Sequence, residues 1–136
     1  MIRHRIDGHW AGWFYDETYR ENIDLIWPVD AKKITAFMKH RFGVDYSRDN
    51  EFGASVVELM NQDKGHHQII CLREWNRADP RDVSMLAHEC FHVAEYILSK
   101  RGIALGDCTA ESYAYMLESI MRRCLILLDT RHKLKP

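Results

Sequence analysis

Apolar positions along this chain change their spacing several times, and each change predicts an element. Ile34, Phe37 and Met38 recur at intervals of three and four, which marks a helix with one buried face. With Asp30 placed to cap it and Gly43 to end it, the spacing predicts a helix from about Ala31 to Arg41. Gly53 to Leu59 and Gln68 to Trp75 read as two strands, joined by Asn61-Gln62-Asp63-Lys64-Gly65, a run suited to a hairpin loop. Asp79-Pro80-Arg81-Asp82 then opens a second helix, with a cap, a proline at the first helical position and an acid in the first turn. Met85, Leu86, Phe91, Val93, Ala94, Ile97 and Leu98 are its apolar cover, and Lys100-Arg101-Gly102 is its stop. Gly106-Asp107 reads as the loop and cap of a third helix, from Cys108 to about Leu128. Residues 1–22, rich in Gly, Trp and charge, show no period and predict irregular structure with room for one short strand. The fold class that follows is α+β, a small antiparallel or mixed sheet packed on helices.

Bulk properties narrow the picture. A chain of 136 residues is the size of one domain, so residues 1–136 are expected to share a single core. A formal charge of −1 with both signs interspersed argues against nucleic acid or an anionic membrane as an obligatory partner. The basic and aromatic residues Arg3, His4, Arg5, Trp10 and Trp13 extend into no basic stripe. No apolar segment follows Met1-Ile2-Arg3-His4-Arg5, and no run approaches the length of a membrane span, so a cytoplasmic protein is expected. Cys71, Cys90, Cys108 and Cys124 form no CxxC pair and read as buried or half-buried thiols.

Candidate chemistry is concentrated in the second helix. His88-Glu89-Cys90-Phe91-His92 is an HExxH run, and positions four apart on a helix share a face, so both imidazoles can grip one ion. Glu89, one step round, borders the same ion as a carboxylate able to take a proton from activated water. A catalytic zinc takes three protein ligands, and no histidine follows His92 until His132, so the third must be a carboxylate. Glu111, in the first turn of the third helix, is the expected ligand, because the helix running back returns it toward the histidines and its N-terminal end favours an anion. Glu95, on the same rigid helix as His92, and Glu118, two turns deeper than Glu111, are its competitors. Trp10, Trp13, Trp27 and Trp75 are aromatic residues for a core or a cleft, His66-His67 are expected to meet solvent, and Arg131-His132-Lys133-Leu134-Lys135 to form a solvated basic end.

The runs Ala87-His88-Glu89-Cys90-Phe91-His92 and Glu111-Ser112-Tyr113-Ala114-Tyr115 resemble the gluzincin metallopeptidases, above all small single-domain members such as the ImmA/IrrE-type and phage- or prophage-encoded enzymes. The resemblance implies a zincin-like fold and a Zn²⁺ ion on His88, His92 and Glu111. It also implies Glu89 as general base, a peptide or protein substrate, and a cytoplasmic setting, that of the host if the chain is phage-encoded. Larger gluzincins place a carboxylate four residues beyond the third ligand to support a histidine, where this chain has Tyr115. Tyr115 and Tyr113 are therefore the candidates to support a ligand or to donate to a developing oxyanion. A catalytically silent, zinc-stabilised binding or regulatory protein on the same scaffold is the alternative reading.

Overall fold

The structure, a computed structural model, describes residues 1–47, 52–61 and 65–129. Asp7 and Gly8 both take positive φ, 43° and 86°, the left-handed pair that matches a two-residue turn to the twist of its strands. They join β1 (Ile2–Ile6) to β2 (His9–Asp16), with Ile6 opposite His9. A second turn returns the chain as β3 (Glu21–Trp27), with the Asp16 carboxylate accepting the Tyr19 N–H at 2.8 Å. Next come α1 (Ala31–Phe42), β4 (Ala54–Asn61), β5 (Gly65–Leu72), α2 (Pro80–Ser99) and α3 (Ala110–Leu128). One mixed sheet results, in the order β1-β2-β3-β5-β4, with β3 and β5 parallel and every other pair antiparallel.

Alternation along the strands divides the core into two layers. Ile23, Leu25, Trp27, Ile70 and Leu72 face α2 and α3, while Ala11, Ile26, Ile69 and Cys71 face Ile34, Phe37, Met38 and Phe42 of α1. The fold is therefore α+β, as expected, with a five-stranded mixed sheet between α1 and the α2–α3 pair. Gly12 permits the close seating of α3, since a Cβ there would fall 2.8 Å from Leu127 Cδ2. Arg3 covers the end of the same helix, its Nη1 donating to the carbonyls of Leu127 at 2.9 Å and Asp129 at 2.7 Å. Among the described residues no helix is long and apolar enough to cross a membrane.

Three expectations need correction. Residues 1–22 form β1, β2 and the start of β3 rather than irregular structure. The hairpin strands run 54–61 and 65–72, so Arg73 to Trp75 lie beyond β5; positions 62–64 of the intervening loop, and the tail 131–135, fall outside the described residues. The third helix is capped at Thr109, not Asp107. Thr109 makes no side-chain cap bond; its hydroxyl instead ties down the preceding loop, donating to the Ala104 carbonyl and accepting the Gly106 N–H at 2.9 Å.

His9 is buried on the α1 side against the edge of Phe37, and both its ring nitrogens lack hydrogen-bond partners among the described residues. Burial, reinforced by the charge of Lys33, holds its pKa below the ordinary 6.5. The unfolded chain then binds this proton more readily than the folded one, so His9 makes stability fall as pH drops through and below that value. Replacing His9 with Phe should flatten the slope of unfolding free energy between about pH 7.5 and 5, measured by urea titration at each pH. An unchanged slope would place the titration elsewhere.

Candidate metal centre

Helix α2 is held at both ends, and this sets the rotation of its faces. At the start, the Asp79 carboxylate accepts the Arg81 N–H at 2.9 Å and Pro80 occupies the first turn. At the far end Glu21, only 1 % exposed, accepts from His66 Nδ1 at 2.6 Å and Arg101 Nη1 at 3.2 Å. Arg101 also donates to the carbonyls of Ile97 and Tyr19. Lys100 Nζ lies 2.6 Å from Glu58 on β4. Burial pushes the Glu58 carboxyl up, but Lys100 and His66 outweigh it and hold the group below its ordinary range. His66, expected to meet solvent, is thus part of an ionic clasp between α2 and the sheet. His67 is also drawn inward: its Nδ1 lies 2.6 Å from Asp24, which Arg41 of α1 engages at 2.9 Å.

Leu86, Cys90, Val93, Ala94, Ile97 and Leu98 take the buried side of α2 and leave the opposite side to His88, His92 and Glu95. The histidines converge, with their Nε2 atoms 3.0 Å apart and their rings 80° to one another. Tyr96 stacks on His92 with centroids 6.3 Å apart, and Phe91 packs at 6.5 Å. Glu89 sits at the shoulder between the outward face and the core, 8 % exposed. Helix α2 borders β4, which among the described residues pairs in the sheet with β5 alone, so of the two hairpin strands β4 is the edge.

Helix α3 does not bring Glu111 to this pair. Its buried stripe is Tyr113, Met116, Ile120, Cys124 and Leu127, and Glu111 stands about 200° round from Tyr113, exposed on the outer stripe with Tyr115 and Glu118. Among the described residues no three His, Cys, Asp or Glu side chains are grouped as a metal ion would need. Tyr115 is 67 % exposed. Tyr113 is buried, packs its ring at 6.3 Å from Phe91 and donates its hydroxyl to the Ile103 carbonyl at 2.7 Å, a bond that ties the α2–α3 loop to α3.

Between α2 and α3 the buried Cys90 and Cys124 meet: a hydrogen bond with the Cys90 thiol, together with burial, pushes Cys124 well above the ordinary thiol range. These are packing thiols. Trp10 and Trp27 stack within the sheet at 6.3 Å, and Arg41 covers Trp13 at 4.2 Å. Trp75 borders an open groove of about 670 Å³, whose walls include Val83, Met121 and Leu125 but none of the HExxH residues.

Tyr113→Phe tests what that hydroxyl does. Loss of one buried hydrogen bond should cost roughly 0.5–1.5 kcal/mol of stability, read from denaturant unfolding, and leave any hydrolytic rate unchanged. A rate loss without a stability loss would return Tyr113 to the reaction. Comparison of the chain with family models, with curated proteins and with solved structures finds no match.

Proposed function

We propose that this protein is a zinc-dependent metallopeptidase of gluzincin type, with His88 and His92 holding the ion and Glu89 acting as general base. The observation that carries the reading is the convergence of the two Nε2 atoms at 3.0 Å with Glu89 on the adjoining shoulder of the same helix. Zinc–imidazole bonds of about 2.0–2.1 Å let two nitrogens at that separation share one ion. When bound, zinc supplies Lewis acidity, polarising a carbonyl and making water acidic enough to ionise near neutral pH. Glu89 takes the proton from the attacking water and returns it to the leaving amine. The position of β4 at the end of the strand order among the described residues supports the same reading, since an extended peptide can add to an edge strand through main-chain hydrogen bonds alone. In this reading the scaffold is zincin-like and the setting cytoplasmic, where thiols such as Cys90 and Cys124 stay reduced.

A second reading, a zinc-stabilised binding or regulatory protein without turnover, draws on the open position of the pair and on the separation of Glu111 from it. Zinc titration against a competing chelator bears on the ligand set. If the first turn of α3 closes Glu111 onto the ion, Glu111→Ala should weaken binding at least tenfold, as expected for a lost charged ligand. Unchanged affinity would take Glu111 out of the ligand set. Glu89→Gln separates enzyme from scaffold. The variant should retain wild-type fold and stoichiometric zinc, while cleavage of an unstructured peptide library, read by mass spectrometry, falls by several orders of magnitude. Equal cleavage by both proteins would identify a contaminant, and a silent wild type with full zinc would favour the binding protein.

A further inference from the structure

The metal reading leaves one atom without an account. A histidine that binds through Nε2 must carry its proton on Nδ1, and that N–H needs an acceptor to hold the tautomer and the ring plane. Tyr115 of the following helix is exposed. His92 Nδ1 is itself shielded from solvent and has no hydrogen-bond partner among the described residues. The nearby carboxylate is on the motif helix: Glu95 Oε1 lies 3.9 Å from His92 Nδ1, one helical turn on. Tyr96 stacks on the His92 ring and Phe91 packs beside it, and both bias its orientation. Its Nε2 meanwhile points at His88 Nε2, 3.0 Å away.

We propose that Glu95 is a positioning residue for His92, its carboxylate accepting the Nδ1–H so that Nε2 is left bare and aimed at the position shared with His88. The proposal rests on the metal reading for its purpose, but the orientation of His92 is a property of the protein without metal. Closing 3.9 Å to hydrogen-bonding distance takes a small side-chain adjustment, since Glu95 is 46 % exposed and its carboxylate has room to move. The proposal also gives Glu95 a role other than that of a third ligand: it sits on the Nδ1 side of His92, away from the nitrogen that faces His88.

The experiment uses the full chain, stripped with chelator and then titrated with zinc. In the metal-free protein, long-range nitrogen–proton NMR correlations should show His92 with its proton on Nδ1. Glu95→Ala should convert it to a mixture with substantial Nε2–H. Glu95→Gln, whose amide oxygen still accepts a hydrogen bond, should keep the wild-type tautomer. Zinc affinity should fall roughly 10- to 100-fold in Glu95→Ala and less in Glu95→Gln, the range seen when the outer partner of a ligand histidine is removed. Circular-dichroism melting of each variant confirms the fold. An unchanged tautomer and unchanged zinc affinity in Glu95→Ala would overturn the proposal, as would equal losses in the Ala and Gln variants. His88→Ala is the control on the underlying reading. If neither wild type nor His88→Ala binds zinc while Glu95→Ala still releases the His92 tautomer, the metal reading fails and the positioning of His92 by Glu95 stands.

Discussion

The constraint on which the rest of this structure depends is the burial of β3 and β5 on both faces. Their parallel pairing places α1 on one side of the sheet, and α2 with α3 on the other. Strands covered twice must be apolar nearly throughout, and Ile23 to Trp27 and Ile69 to Leu72 are so, Asp24 apart. That one buried acid is compensated where it stands, by Arg41 from α1 and His67 from β5. Because β5 occupies the place beside β3, β4 is displaced to the rim of the sheet formed by the described residues. The edge strand beside the HExxH helix is thus a consequence of how the core closes.

Given that sheet, the facing of His88 and His92 depends on how α2 is rotated upon it. Six buried apolar residues fix the inward side, and the Glu21, His66 and Arg101 clasp fixes the far end. A buried ionic contact of this kind adds little net stability, because the desolvation of Glu21 offsets much of the attraction. It does specify one geometry, since leaving Glu21 buried without a cation would be costly. Turning α2 by one residue would carry His88 and His92 together about 100° round, off the outward face. The clasp at residues 66 and 101 thereby acts on the histidines without touching them.

Helix α3 contributes in a different way from the one its sequence suggested. Its inner stripe packs Cys124 on Cys90 and Tyr113 beside Phe91, and the Tyr113 hydroxyl holds the connecting loop. That packing turns Glu111 outward. The carboxylates closest in chain to the histidines, Glu89 and Glu95, are on α2 itself, one at the shoulder toward the core and one on the outward face beside His92 Nδ1. A single helix therefore carries the paired imidazoles together with a candidate base and a candidate orienting acid.

What the sequence by itself determined was local. The span and caps of α1 and α2, and the facing of His88 and His92, follow from a period of 3.6 and from side chains that bond their own backbone within a few residues. The strand β2 was missed because alternation disappears when both faces of a strand are covered, and His9 to Asp16 mixes apolar and polar residues without a period. The roles of His66 and His67 depended on partners at residues 21, 24 and 101, far away in the chain. Sequence pointed Glu111 toward the histidines, but Ala110, Ala114, Leu117 and Met121 widen the apolar arc of α3, so several rotations would bury a similar area. Only the tertiary structure chose among them, since the rotation of one helix against another is set by the fit of particular side chains, here Cys124, Tyr113 and Leu127 against Cys90, Phe91 and Gly12.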